Sequence, residues 1–392
     1  MFRLKGIVGL VLLSGSSILL PSVVAYTNGS YVLPTNNGPY KTSLKIFELV
    51  DAKRPDPFNS SHPRRLMVSR FDPVPKDRCG NPYLVSYMPP AVAKTEHDIF
   101  AKYNIPNIPF EEYKLEVCPP DNRLETGKNQ SWPVAIFSPG LNTTRLLYNG
   151  LVQAVASQGF TVLSIDHPYE TDAVQFPDGS VIYGGRVEID LNKTGPLVAA
   201  LNVRMNDVSF VLDTFGFKYG AGERKAVMFG QSFGGAATAM AMLNDTRIRG
   251  GVNIDGRLFG PAVTAGLGRP GLPQSFVLFG AEGHNTSSEE SWGPFWRSLE
   301  HSHDVDWKRE FSIANTAHGS SFDIPLLADI AGVRGKIPEP LSSYIGGLPG
   351  IRTVEILARY IPAYFRLALD GKSDDILNKK SESWPEVSIL GK

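Results

Sequence analysis

The stretch Lys225-Ala-Val-Met-Phe-Gly-Gln-Ser-Phe-Gly-Gly235, with the apolar run that continues to Leu243, decides the fold. Its first five residues are typical of a buried strand, and Phe233 to Leu243 is typical of the helix that follows. Between them, Gly230-Gln-Ser-Phe-Gly234 matches the G-x-S-x-G pattern, in which a sharp strand-to-helix turn lifts a serine hydroxyl off the end of a central strand. The pattern predicts a nucleophile at Ser232; the alternative is a structural turn without chemistry.

Short β-rich runs alternate with helical patterns on either side of this motif, from about Pro133 onward. Near-continuous apolar strands separated by helices predict a mostly parallel sheet, doubly wound and covered by helices on both faces. Together with the motif, this pattern is that of an α/β class protein with an α/β-hydrolase fold. The predicted strands are Pro133–Phe137, Phe160–Asp166, Lys225–Phe229, Gly250–Ile254, Ser275–Phe279 and Arg309–Ile313. The predicted helices are Thr144–Ser157, Leu197–Phe215, Phe233–Leu243 and Ile351–Leu369.

The segments that flank this alternation complete one predicted domain, residues 26–392. In residues 26–132, Leu44–Leu49 and Arg65–Arg70 are predicted to form an antiparallel N-terminal edge of the same sheet. Residues 133–322 form the expected catalytic core, and residues 323–392 form loops and the last helix, in which Pro362 predicts a kink.

A nucleophilic serine needs a general base later in the chain. His318 follows the last predicted strand, in the loop where this fold presents its base. His284 comes too early for that position, and His301 and His303 lie in a charged helical stretch. We therefore expect His318 to be the base.

The base needs a carboxylate that holds its tautomer and stabilises the imidazolium. Asp255 ends the strand after the elbow helix, so it projects from the same sheet edge as Ser232. Glu282, after the next strand, and Asp323, close to His318 in the sequence, are the alternatives. A capping role in the turn that follows is the structural alternative for Asp255.

Two backbone amides are expected to form an oxyanion hole. One belongs to Phe233, directly after the nucleophile, and the second to Leu141, in the loop after the first core strand. Gly140 lets that backbone turn its amides inward, although an ordinary Pro-Gly turn would look the same. Gly140, Gln231 and His167 are expected to line the substrate pocket.

Several motifs resemble the secreted platelet-activating-factor acetylhydrolase family, the plasma-type or group VII phospholipase A2 enzymes. They are Phe137-Ser-Pro-Gly-Leu141, Ser157-Gln-Gly-Phe160, Ile165-Asp-His167, Gly230-Gln-Ser-Phe-Gly-Gly235, Ile254-Asp255 and Ala317-His318. The resemblance implies a calcium-independent serine esterase that hydrolyses short or oxidised sn-2 acyl groups of phospholipids. It also implies a triad of Ser232, Asp255 and His318 with the amides of Leu141 and Phe233 as oxyanion donors. The short separation between the serine and the acid is similar to that family and argues against Glu282.

The N-terminal residues predict export. Arg3 and Lys5 precede the apolar stretch Ile7 to Leu20, and Ala25 is the small residue at the expected cleavage site. This is the pattern of a signal peptide over residues 1–25. An uncleaved anchor is the alternative.

Asn-x-Ser/Thr sequons begin at Asn28, Asn59, Asn129, Asn142, Asn192, Asn244 and Asn285. All except Asn142, which lies in the expected oxyanion loop, are candidate glycosylation sites in a secreted protein.

The two cysteines, Cys79 and Cys118, most simply form one disulfide in an oxidising compartment, with two buried thiols as the alternative. No CxxC motif or His/Cys cluster predicts a metal site, and no organic cofactor is implied. Because 39 Lys+Arg balance 39 Asp+Glu, the chain has no general field that would attract nucleic acid. No run after the signal peptide predicts a transmembrane segment.

These observations favour a secreted serine carboxylester hydrolase that acts on a small ester or a phospholipid. A cutinase-like or general short-chain esterase is the first alternative, and a non-catalytic hydrolase-fold binding protein is the second. Trp292, Phe295 and Trp296 suggest contact with a lipid surface, but together with Leu299 they recur every three or four residues. That spacing favours the core-facing side of a helix.

Overall fold

The computed structural model describes residues 26–27, 29–102, 108–120, 132–300 and 305–391. Within these ranges a nine-stranded sheet organises the molecule. Its strands are β1 (Lys41–Pro55), β2 (Pro63–Val74), β3 (Val134–Ser138), β4 (Thr161–Asp166), β5 (Ala226–Gln231), β6 (Ile248–Ile254), β7 (Gln274–Ala281), β8 (Val305–Ile313) and β9 (Val387–Gly391).

The strand order is β1-β2-β4-β3-β5-β6-β7-β8-β9, so the strand that precedes Ser232 is the central one. Strands β3 to β8 are mutually parallel, with Phe229 of β5 aligned to Phe137 of β3 and to Val252 of β6. β1 and β2 form the antiparallel N-terminal edge, which confirms that prediction. β9 adds an antiparallel strand at the opposite edge, which the sequence analysis did not predict.

Helices cover both faces of the sheet. They are α1 (Pro90–Ala101), α2 (Asn149–Ala156), α3 (Gly195–Thr214), α4 (Phe233–Asn244), α5 (Trp292–Glu300), α6 (Ile324–Ile330), α7 (Leu341–Ile345) and α8 (Gly350–Asp370). α2, α6 and α8 pack on one face and α3, α4 and α5 on the other. β5 supplies both cores in alternation, Val227 and Phe229 to the first and Ala226 and Met228 to the second, because successive side chains of a strand point to opposite faces.

The predicted core elements are present with boundary shifts of a few residues. The helix expected over Thr144–Ser157 begins as the 3₁₀ turn Arg145–Tyr148 and continues as α2. α8 runs as one helix through Pro362.

The N-terminal third contains more regular structure than the sequence suggested. A separate four-stranded sheet combines Tyr26–Thr27, Ser30–Val32, Tyr113–Val117 and Tyr83–Ser86. α1 follows the strand Tyr83–Ser86 in the chain. Within the catalytic core, a two-stranded hairpin also joins Ala173–Gln175 to Val181–Tyr183. These strands are two to five residues long, so their apolar alternation is too short to stand out in the sequence.

The tryptophan-rich segment is helix α5. Trp292, Phe295 and Leu299 are buried on the sheet, with the rings of Phe295 and Phe276 in edge contact at 4.9 Å. Trp296 is half-buried, and the ammonium of Lys308 lies 4.1 Å from its ring centroid. Core packing therefore explains the helical spacing, and three of the four side chains are unavailable to lipid.

Among the candidate glycosylation sites, Asn59, Asn192 and Asn244 are exposed and Asn285 is partly exposed. Asn28, Asn129, His301, His303 and the expected signal peptide, residues 1–25, lie outside the described residues. No helix in the described part of the chain is both long enough and apolar enough to span a membrane.

Cys79 and Cys118 form a disulfide across 39 positions of sequence. The bond fastens the segment after β2 to the strand Tyr113–Val117, where the backbone N–H of Cys118 also donates to the Thr42 carbonyl at 2.7 Å. The crosslink therefore joins the small sheet to the edge of the large one.

We expect reduction of this disulfide to lower the free energy of unfolding by about 2–4 kcal/mol, because the loop it closes is then free in the unfolded chain. Denaturant melts with and without reductant measure this difference, and esterase turnover of the folded protein should not change. A Cys79→Ala/Cys118→Ala variant as stable as the oxidised protein would contradict the expectation.

Candidate active site

Ser232 lies at the sharp turn between β5 and α4 with a left-handed backbone (φ 53°, ψ −121°). Two glycines make this turn possible. A Cβ on Gly230 would overlap the backbone of Gly234, and a Cβ on Gly234 would overlap the carbonyl of Ser138 on β3. The Ser232 N–H donates to the Ile254 carbonyl at 2.8 Å. The motif therefore has the strand–turn–helix context that a nucleophile elbow requires.

Ser232, His318 and Asp255 form one hydrogen-bonded chain. The Nε2 atom of His318 is 3.0 Å from the Ser232 hydroxyl, and its Nδ1 atom is 2.7 Å from Oδ2 of Asp255. His318 begins a 3₁₀ turn after β8, and Asp255 follows β6 with a left-handed backbone (φ 57°). The parallel strands thus bring together three residues that are widely separated in sequence.

The alternative carboxylates bind elsewhere in the described chain. Glu282 accepts the backbone N–H of Asn315 at 2.7 Å. Asp323 is fully buried and accepts from the Tyr87 hydroxyl at 2.8 Å and the Gly150 amide at 2.6 Å. Burial raises the pKa of Asp323 to about 7 despite these hydrogen bonds.

His284 is a site residue that the sequence analysis missed. Its Nδ1 atom is 2.6 Å from Oδ1 of Asp255, the oxygen not used by His318, and its Nε2 atom is 3.3 Å from Glu289. Burial alone would lower the pKa of His284, but the hydrogen bonds and charges of Asp255 and Glu289 outweigh it and leave that pKa raised. Burial alone would raise the pKa of Asp255, but its two histidine partners leave it lowered. One carboxylate therefore serves two imidazoles.

Arg204 fixes the loop after β3 from beneath. Its guanidinium is fully buried and donates to the carbonyls of Pro139 at 2.5 Å and Gly140 at 3.2 Å. Because the peptide group is planar and trans, the N–H of Leu141 points away from the Gly140 carbonyl. Gly140, Leu141 and Ser232 line the same cavity, so this orientation suits the expected oxyanion donor.

His167 does not line that cavity, contrary to the sequence-based expectation. It is 0% exposed, with Nδ1 2.9 Å from Asp207 and Nε2 3.1 Å from the Ser138 hydroxyl. Burial and the nearby Arg204 charge lower its pKa to about 4 although Asp207 opposes this, so the ring is neutral at pH 7. His167 directly follows β4, which is buried along its whole length. Its side chain therefore packs against the end of β3 and not into the cavity.

A cavity of about 720 Å³ opens above Ser232. Gly140 and Gln231 line it, as expected from the sequence. Gln231 also connects the two loops of the site, since it accepts from the Tyr148 hydroxyl at 2.9 Å and donates to the His318 carbonyl at 3.0 Å. Most of the remaining lining is apolar and includes Phe100, Leu147, Phe322, Leu341 and Tyr344.

The described residues contain no cluster of three or more His, Cys, Asp or Glu side chains able to hold a metal ion.

The strand order and the elbow define the α/β-hydrolase fold, and solved structures agree. A ferulic acid esterase from Streptomyces cinnamoneus superposes with a TM-score of 0.71 and 25% identity, covering 92% of this chain and 99% of that one. The chain is an α/β-hydrolase-fold carboxylic ester hydrolase.

The family description "Platelet-activating factor acetylhydrolase, isoform II" matches residues 105–176. A probable 1-alkyl-2-acetylglycerophosphocholine esterase of Arthroderma benhamiae is 36% identical over 95% of this chain and 97% of its own length. A platelet-activating factor acetylhydrolase of Cavia porcellus is 26% identical over 35% of this chain and 37% of its own. The chain belongs to the platelet-activating-factor acetylhydrolase family, which confirms the resemblance seen in the sequence.

We expect Arg204→Lys to lower kcat with little change in KM, because lysine cannot hold two carbonyls with a planar fork. The loss should be roughly 10- to 100-fold, smaller than that for deleting an oxyanion donor outright. Steady-state kinetics measure the split. Arg247→Lys is the matched control, because Arg247 is equally buried but pairs with Asp245 and Asp213. Equal kcat losses in both variants would refute a positioning role for Arg204.

We expect His284→Leu to move the acid limb of the pH dependence of kcat/KM to higher pH. Without the His284 N–H, Asp255 loses a hydrogen-bond donor, so its carboxylate stabilises the His318 imidazolium more strongly. The shift should be about one pH unit, which corresponds to ~1.4 kcal/mol. His284→Gln, which retains an N–H donor, should shift the limb less. A folded His284→Leu variant with an unchanged profile would contradict this role.

Proposed function

We propose that the protein is a secreted serine esterase that cleaves short sn-2 acyl esters of phospholipids, of the 1-alkyl-2-acetylglycerophosphocholine type, without calcium. The observation that carries the proposal is the chain from Ser232 through His318 to Asp255, with contacts of 3.0 and 2.7 Å, at the floor of an apolar cavity. The near full-length similarity to a probable esterase of this name supports the substrate class.

In the proposed mechanism, Nε2 of His318 accepts the hydroxyl proton as Oγ of Ser232 attacks the ester carbonyl. The amides of Leu141 and Phe233 bind the oxyanion, and Asp255 stabilises the imidazolium. His318 then returns the proton to the departing alcohol, which leaves an acyl-serine. A water molecule activated by the same histidine hydrolyses this ester and restores Ser232.

The proposal of secretion rests on the predicted signal peptide, the sequons and the disulfide. Export into the culture medium with a shift in mobility after removal of N-glycans is the expected result. An intracellular, unglycosylated mature protein would contradict it.

A general short-chain esterase is the second candidate. It is favoured by the similarity to the ferulic acid esterase, which extends over almost the whole of both chains. In that case small acetate or aromatic acyl esters would be turned over at least as well as phospholipids.

We expect Ser232→Ala to reduce ester hydrolysis by several orders of magnitude, down to the residual rate that binding and the oxyanion donors provide. Hydrolysis of phosphocholine substrates with sn-2 chains from acetyl to long, in the presence of a calcium chelator, tests the substrate class. The proposal predicts a steep fall in kcat/KM with chain length. Equal rates at all lengths, or a requirement for calcium, would favour the alternative.

Labelling by an organophosphate tests the nucleophile independently of the substrate. Wild type should be labelled at Ser232, and the Ser232→Ala variant should not. A wild-type protein inert to both the reagent and p-nitrophenyl esters would leave only the binding-protein alternative.

A further inference from the structure

Two acidic side chains that the proposed chemistry does not use lie on the wall of the cavity above Ser232. Glu96 comes from α1, and Asp172 comes from the segment after β4. Glu96 is 1% exposed, and its Oε1 atom has no hydrogen-bond partner in the described part of the chain. A buried carboxylate without a partner is costly, so this position is unusual for a purely structural residue.

The surroundings of the pair disfavour the ionised form of both acids, and a bound cation would offset that penalty. Burial and then the charges of Asp172 and Asp166 raise the pKa of Glu96 well above its ordinary value. Burial and Asp166 also raise the pKa of Asp172 to about 7, although Lys102 acts in the opposite direction. Asp166 differs from the pair because Arg145 binds both of its oxygens.

No lysine or arginine is among the described residues that line the cavity. The wall beside Glu96 consists of Ile99 and Phe100 on α1, and Tyr344 adds a second aromatic ring to the lining. Carboxylates combined with apolar and aromatic surface suit a weakly hydrated organic cation, which an aromatic face also attracts.

We propose that Glu96 and Asp172 bind the quaternary ammonium group of the substrate's alcohol portion while the sn-2 ester lies at Ser232. This inference rests on the proposed function, because it concerns the same cavity. It adds that the alcohol side of the substrate extends toward α1. The pair thereby favours substrates that carry a quaternary ammonium group over analogues that lack its positive charge.

The experiment compares two substrates that differ in a single charge. One is 1-alkyl-2-acetylglycerophosphocholine, and the other is its analogue with a 3,3-dimethylbutyl group in place of choline, which has the same shape without the cation. We expect wild type to prefer the choline substrate by roughly tenfold in kcat/KM, the scale of one partly desolvated cation contact. Both substrates should be presented below their aggregation concentrations.

Glu96→Gln and Asp172→Asn should each reduce this ratio toward one, chiefly through KM for the choline substrate. Asp98→Asn is the matched control, because Asp98 lies on the same helix, is exposed and pairs with Lys94. The control should retain the wild-type ratio. Asp172→Asn keeps the test valid if Glu96→Gln does not fold, since Asp172 is less buried than Glu96.

A wild-type ratio near one, or a ratio unchanged in Asp172→Asn, would overturn the inference. Failure of the proposed function gives a different result. A protein that hydrolyses p-nitrophenyl acetate but neither phospholipid is not a phospholipid esterase, whereas equal hydrolysis of both phospholipids removes only the cation site.

Discussion

The backbone of Ser232 (φ 53°) lies in a conformation that costs of the order of 1–3 kcal/mol for a residue other than glycine. The conformation persists because the segments on either side of β5 pack directly against this turn. On one side, β3 approaches so closely that position 234 admits only glycine. On the other side, the segment after β6 approaches so closely that a Cβ on Gly256 would overlap the Ser232 carbonyl. The central position of β5 is what brings both neighbours within reach. The same turn starts α4, so the amide of Phe233 emerges at a helix N-terminus beside the nucleophile.

The loop opposite the elbow depends on buried charge rather than on close packing. Arg204 is balanced by Glu170 at 2.7 Å, and Arg64 is balanced by Asp207 at 2.8 Å. Between them, neutral His167 donates from Nδ1 to Asp207 and accepts from the Ser138 hydroxyl at Nε2. Each group is paired, as buried charges must be. The peptide groups of the oxyanion loop are thus held by directional bonds, which orient them before a substrate arrives.

Asp255 connects the site to the helix layer behind it. Its second oxygen accepts from His284 and from the Ala281 amide at 2.7 Å, while the Trp292 indole donates to the Gly256 carbonyl at 2.7 Å. The rings of His284 and Trp292 lie 4.5 Å apart. The buried Trp292 of α5 therefore packs against His284, which in turn binds Asp255, so the apolar face of this helix helps to hold the acid of the site.

The sequence by itself determined the α/β class, the strand and helix order of the core and the elbow at Ser232, because these depend on local periodicity and on glycine sterics. It also singled out His318, which the structure brings into contact with the serine, and Asp255, which it brings into contact with His318. It could not place α1 or the short strands of the N-terminal third, whose patterns are only a few residues long. The pairing of His284 with Asp255, the withdrawal of His167 from the cavity and the convergence of Glu96 with Asp172 were decided by tertiary structure alone. Each depends on which side chains from distant segments meet across a fold, and neither residue type nor spacing encodes such a meeting.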